Sequence, residues 1–258
     1  MDKPYLVLGG FIAREDRWIA FEKAWKDCLR SRGVDFPFHA VDFFAKHKND
    51  PKLNYILADL VIVITNHIEA AFSSSIDMEA YKEFNQERRL EEFSGTPYAI
   101  NTRVIYKNVD EWQKSAGGRA PILYFVEDGT LHKGDMMDCL RDRDKLHPPI
   151  PVTKENSAAQ AADLYAYAVF QSCLLRGPSE CFSFFMEKLH SPRERIDTRT
   201  FRSELAAYLA SATSTVHSEA YPEGVRVRIP KRSETTEAQF NFAGNKKKIR
   251  RATVGIKK

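Results

Sequence analysis

Cysteine is scarce in this sequence and never closely spaced: Cys28, Cys139, Cys173 and Cys181 stand among 258 residues, with no Cys-x-x-Cys step. That spacing argues against a zinc knuckle and against a disulfide framework, leaving four buried or half-buried thiols in a reducing compartment. Long apolar runs are also missing. No stretch approaches the roughly 20 apolar residues that a membrane-crossing helix needs. No basic segment followed by an apolar stretch opens the chain. The expectation is a cytoplasmic protein with no membrane partner. A Gly-x-Ser-x-Gly elbow and a phosphate-cradling Gly-rich loop are both absent, so a small-molecule hydrolase on an α/β sheet lacks support.

What is present is a globular composition with an uneven charge. Hydrophobic residues make up 43% and charged ones 29%, ordinary for a chain that buries a core. The net charge of +4 hides an asymmetry: residues 221–258 hold 11 Lys/Arg against 3 Glu, so the first 220 residues carry a balance of −4. A mildly acidic body therefore bears a basic tail. The expected organisation is a folded domain over residues 1–220 and a basic flexible tail over 221–258.

Tyr5 to Ala13 reads as a buried strand, with Gly9 and Gly10 where another backbone approaches closely. Trp18, Phe21, Trp25, Cys28 and Leu29 recur as one helical face that stops before Gly33. Leu53 to Ala58 reads as a helix end running into a second buried strand, Asp59 to Asn66, followed by a loop through Ser73–Ser75. Helices are expected over Ala80–Glu92, Tyr98–Trp112, Asp135–Arg141, Ser157–Leu175, Glu180–Leu189 and Thr200–Ala212. Pro121 to Val126 reads as a third strand, and His147 to Pro151 as a proline-rich connection. Strands alternating with helices make the class α/β.

Three groups of residues could carry chemistry. On the helix from Ser157, Gln160, Asp163 and Tyr167 share a face among small alanines. A carboxylate there is either costly and paired, or simply exposed, or caps a nearby backbone. Glu127 and Asp128 close a strand, where ligand-binding groups of open α/β sheets gather; Asp128-Gly129 is equally an ordinary turn. His39 and Asp42, three apart between aromatics, suit metal coordination or mutual orientation, or else a satisfied half-buried histidine. In the tail, Lys246, Lys247, Lys248, Arg250 and Arg251 would attract a phosphate backbone, with Phe240 and Phe242 available to stack on bases. A solvated tail that aids solubility is the alternative.

Leu6-Val-Leu-Gly-Gly-Phe-Ile-Ala13, then Trp18 and Trp25, Phe38-His39, Phe125-Val-Glu-Asp-Gly129 and Ala159-Gln-Ala-Ala-Asp-Leu164 follow one another in order. Together they resemble the domain-of-unknown-function 3800 family of bacterial and phage proteins, over residues 5 to about 190. The resemblance implies a ribonuclease H-like mixed central sheet flanked by helices, with acidic residues gathering at one edge to bind divalent metal and cleave phosphodiesters. It implies Glu127 and Asp163 as metal ligands for Mg²⁺ or Mn²⁺, with Asp128, His39, Asp42 and Gln160 as neighbours. Members of that family begin with a strand ending in an Asp-Glu-Ser-Gly-like motif, whereas this chain opens at the second strand. The departure implies either a start recorded downstream of the true one or a lost strand that leaves a sheet edge open. The functional expectation is a metal-dependent nuclease-like protein acting on RNA or DNA. The alternative is an inactive nucleic-acid-binding or partner-binding member, for example in phage defence.

Overall fold

The computed structural model describes residues 4–117, 121–128, 133–143, 146–175, 195–200 and 252–257. The apolar N-terminal run forms β1 (Tyr5–Arg14), followed at once by α1 (Glu15–Arg32). Glu15 and Asp16 complement the positive end of α1, and Gly33, at φ 66°, closes it in the left-handed conformation that glycine tolerates. Two further helices, α2 (Ala40–His47) and α3 (Leu53–His67), lead to β2 (Ala70–Asp77).

Here the structure corrects the sequence reading. Asp59 to Asn66 is not a strand but the second half of α3, and Ser73–Ser75 is not a loop but the middle of β2. Ile56, Leu57, Leu60, Val61 and Ile64 are buried at spacings of one helical face, while Tyr55 and Ile62 are exposed on the other. Packing of that face against α1 outweighs the β preference of a Leu-Val-Ile-Val-Ile run. The three serines of β2 are buried, and two of them are supplied with side-chain partners: the Ser74 hydroxyl donates to Asn101 Oδ1 (2.5 Å), and the Tyr165 hydroxyl donates to Ser73 Oγ (3.3 Å). Polar residues read as loop when their buried partners lie far along the chain.

After β2 come α4 (Met78–Arg88), capped by the Asp77 carboxylate on the Glu79 and Ala80 amides, α5 (Leu90–Ser94) and α6 (Pro97–Ser115). The single helix expected over Ala80–Glu92 is thus two, broken at Arg89 with φ 54°. Thr96 caps α6 and Pro97 occupies its first turn, where a missing N–H costs nothing. β3 (Ile122–Glu127), α7 (Lys133–Asp138) with a π-helical turn at Cys139–Arg143, β4 (Ile150–Val152) and α8 (Ser157–Leu174) follow. β4 overlaps the end of the expected proline-rich connection; Pro151 is tolerated there because β4 is an edge strand. The backbone is also described for β5 (Arg195–Thr200) and β6 (Ala252–Lys257). The helix expected over Glu180–Leu189 and residues 201–212 of the last one lie outside the described residues.

The described strands form one mixed sheet of order β4-β3-β6-β1-β2-β5. β1 runs antiparallel to both β2 and β6, whereas β3 runs parallel to β6 and β4, and β5 parallel to β2. β1 therefore has β2 on one side and, from Gly9 to Arg14, β6 on the other, where the lost-strand alternative would leave an open edge; β6 comes from the segment that composition marks as basic tail. Helices cover both faces. Val7, Phe11 and Ala13 pack with α1, α2, α3 and α8 on one side, and Leu8 and Ile12 pack with α6 and α7 on the other. The class is α/β. Among the described residues no helix is long and apolar enough to cross a membrane.

Candidate acidic site

The strand directions bring β3 and β4 to an end together: Glu127, the last residue of β3, pairs in register with Val152, the last of β4, and α8 begins five residues later at Ser157. Glu127 thus lies at the end of the sheet from which α8 sets out. Asp163 is six residues into α8, roughly 9 Å along the axis from Ser157. Both side chains are buried, with Glu127 7% and Asp163 5% exposed.

α8 is built to lie close to the sheet. It is rich in alanine, and opposite it stands Gly9 of β1, where an added Cβ would meet Tyr165 Cδ1 at 3.1 Å and the Ala166 Cα at 3.2 Å. That close approach accounts for the glycine and for the run of small residues together. The Asn156 side chain caps α8 by accepting from the Ala159 amide at 3.0 Å.

Asp163 is neither solvent-facing nor isolated. Its Oδ2 accepts a hydrogen bond from the Ala40 amide at 2.7 Å, at the first turn of α2. A carboxylate at this position satisfies one of the four amides that every helix start leaves unpaired and faces the positive end of the helix dipole. Capping of a nearby backbone, one of the readings open at the sequence level, is present here. Gln160, one turn earlier, is held at both ends: Trp25 Nε1 donates to its Oε1 at 2.9 Å, and its Nε2 donates to the Lys154 carbonyl at 2.8 Å. It ties α1 to the turn before α8. Tyr167 stacks on Phe44 at 4.8 Å between ring centroids.

His39 is the residue that precedes α2 and is half-buried, with its Nδ1 3.5 Å from the exposed carboxylate of Asp42. Since the neighbouring Ala40 amide holds Asp163, the backbone of His39 adjoins α8. His39 and Asp42 also line a cavity of about 170 Å³ with Asp35, Lys46 and His47 over the rings of Phe38 and Phe43. Asp35, Lys46 and His47 were not singled out from sequence, although the step from His39 through Asp42 to Lys46 and His47 keeps to one helical face. The Lys46 ammonium donates to Asp35 (2.6 Å) and holds that carboxyl below its usual range. A hydrogen bond from the Lys52 amide, with His47 second, does the same for Asp50.

Asp128 is exposed, and its amide donates to the Val152 carbonyl at 2.7 Å, extending the β3–β4 pairing by one step. Among the described residues no group of three or more His, Cys, Asp or Glu side chains is close enough to hold a metal ion. Glu127 and Asp163 offer the hard oxygens that Mg²⁺ or Mn²⁺ takes, and such ions are commonly bound by one or two carboxylates plus water and substrate phosphate. Lys246, Lys247, Lys248, Arg250 and Arg251 lie outside the described residues, as does Cys181. Cys28, Cys139 and Cys173 are not in disulfides.

No family model, curated protein or solved structure matches this chain.

Proposed function

We propose that this chain is a ribonuclease H-like, divalent-metal-dependent hydrolase of phosphodiester bonds in RNA or DNA, with Glu127 and Asp163 as the metal-binding carboxylates. The observation that supports this reading is two buried carboxylates, Glu127 closing a strand at one end of the mixed α/β sheet and Asp163 nearly two turns into the helix that sets out from that end. Burying two acidic groups is costly unless each gains a partner. The ordered motifs from Leu6 to Leu164 supply the link to nuclease chemistry.

In this reading a bound Mg²⁺ or Mn²⁺ supplies Lewis acidity toward a phosphate oxygen and lowers the pKa of a bound water. The chain's own residues hold the geometry. The Ala40 amide fixes one oxygen of Asp163, Gln160 fixes α8 against α1, and His39 stands beside this contact as a candidate proton carrier, with Asp42 and Asp128 at the solvent boundary. The test is cleavage of single-stranded and duplex RNA and DNA with and without Mg²⁺ or Mn²⁺, alongside calorimetric metal binding. Glu127→Gln and Asp163→Asn should each lower metal affinity more than about tenfold and abolish metal-stimulated cleavage. Unchanged binding and cleavage in both variants would show that the site is elsewhere.

A second reading, an inactive member that binds nucleic acid or a partner, is favoured by the capping role of Asp163 and by the lack of a three-donor group among the described residues. It calls for salt-dependent binding without cleavage, weakened when Lys246, Lys247, Lys248, Arg250 and Arg251 are changed to Gln. Charge removal is preferable to deleting residues 222–258, because deletion would take β6 with it.

A further inference from the structure

The six residues of β6 are the last that the structure describes, yet they lie in the interior of the sheet, between β1 and β3. Without them the sheet divides into β5-β2-β1 on one side and β3-β4 on the other. β1 would then present Gly9–Arg14 as an unpaired row and β3 would present Ile122–Val126, the two being about 10 Å apart, twice the spacing of adjacent strands. Such a gap takes one extended strand, antiparallel to β1 and parallel to β3. Helix α8 packs on β1, β3 and β6, so it bridges the gap. A chain made from its N-terminus completes both walls before the strand that joins them exists.

Roughly 50 residues, 201–251, separate β5 from β6. Extended, that length spans up to ~170 Å, whereas β5 and β6 are three strand spacings apart, about 15 Å. The connection does not dictate whose gap the strand enters. The charge balance favours entry in either case, since the tail carries +8 and the body −4.

We propose that the gap between β1 and β3 is a strand-acceptor site, filled by the chain's own Ala252–Lys257 in dilute solution and by the same strand of a second copy in concentrated solution. A tether of roughly 50 residues gives an effective concentration of about millimolar at best, so self-insertion dominates at micromolar protein. Two copies that are open together exchange strands and close into a symmetric pair with no exposed gap.

The test uses the full chain with Cys28, Cys139, Cys173 and Cys181 changed to Ser and a reporter pair at Ala13→Cys and Thr253→Cys, residues that face each other across β1 and β6. With both substitutions in one chain, mild oxidation at micromolar concentration should give an internal disulfide. An equimolar mixture of the two single variants, co-refolded at about millimolar concentration, where a second copy matches the tether, should give a disulfide-linked pair, with at least about tenfold less from a mixture that was never unfolded. Failure of the internal bond overturns the filling of the gap by β6. An internal bond with no intermolecular one after co-refolding overturns exchange. Because Ala13 is fully buried, a second measurement leaves the sequence untouched. A fluorescent peptide copying residues 249–258, present in excess of the tether's roughly millimolar effective concentration while the unmodified chain refolds, should be retained with raised anisotropy once free peptide is removed. Unlabelled peptide should compete and its Val254→Pro form should not, since proline cannot donate to the ladder. An anisotropy that stays at the free-peptide value counts against the acceptor site.

Discussion

Asp163 commits one carboxylate oxygen to the Ala40 amide at 2.7 Å, and that contact separates its structural role from its chemical one. Asp163→Ala leaves a buried amide without an acceptor and should cost about 1–3 kcal/mol. Asp163→Asn keeps an acceptor in the same place and should cost less than about 1 kcal/mol. Urea unfolding midpoints decide this, and equal losses in the two variants would mean that the cap is not what holds Asp163. If the nuclease reading is right, the Asn form is also the one that folds normally and fails to bind metal. The residue types were legible in the sequence: Gln160, Asp163 and Tyr167 do share a helix and are closely packed. Their partners were not. Helical spacing says which side chains leave on one face, but not that Trp25 arrives from 135 residues away or that α2 begins against Asp163.

Between elements, β1 and α8 approach closely at Gly9. A methyl group there would stand 3.1–3.3 Å from Tyr165 and the Ala166 backbone. Two packed backbones yield less readily than a side chain, so Gly9→Ala should destabilise by about 1–3 kcal/mol and Gly9→Val by more. A Gly9→Ala midpoint equal to that of the unaltered chain would show that α8 is free to shift. On the opposite face α6 meets β3 through Tyr106 and Tyr124, whose rings stack at 3.8 Å. Burial pushes both hydroxyls well above the usual tyrosine range, with Tyr124 adding to the effect on Tyr106 and Asp110 to that on Tyr124. The folded state keeps these protons longer than the unfolded state does. The contribution is therefore whole below the unfolded tyrosine pKa of about 10 and is lost as pH rises past it. Absorbance titration near 295 nm should find both phenols ionising only with alkaline unfolding. Smooth ionisation of all ten tyrosines in a chain that stays folded would contradict their burial. Five elements were readable from period and caps: β1, α1, α6, β3 and α8. Among those misread, α3 and β2 have local preferences overruled by contacts: a β-branched run pressed onto α1, and a serine run bonded to Asn101 and Tyr165.

The whole molecule turns on β1, which feeds the cores on both faces of the sheet by simple alternation. Phe11 stacks on Tyr165 at 5.2 Å on one side, while its neighbours Leu8 and Ile12 enter the other core. No sequence pattern reveals that β6 comes back to lie beside this strand, because a six-residue segment in a basic tail carries no record of its partner. A shared central strand makes the two cores depend on each other, and tryptophan reports on each separately. Trp18 and Trp25 lie in the core beneath α1, and Trp112 packs at the margin of the core beneath α6. A variant keeping only Trp112, and another keeping only Trp18 and Trp25, give one fluorescence signal per face. In urea each should unfold with the same midpoint by fluorescence as by far-ultraviolet circular dichroism, the mark of a single cooperative transition. Each substitution shifts stability on its own account, so the comparison is between probes within one variant. If the signal from either face departs from the backbone signal, the sheet does not couple its two sides, and β1 is a boundary between two cores instead of their common wall.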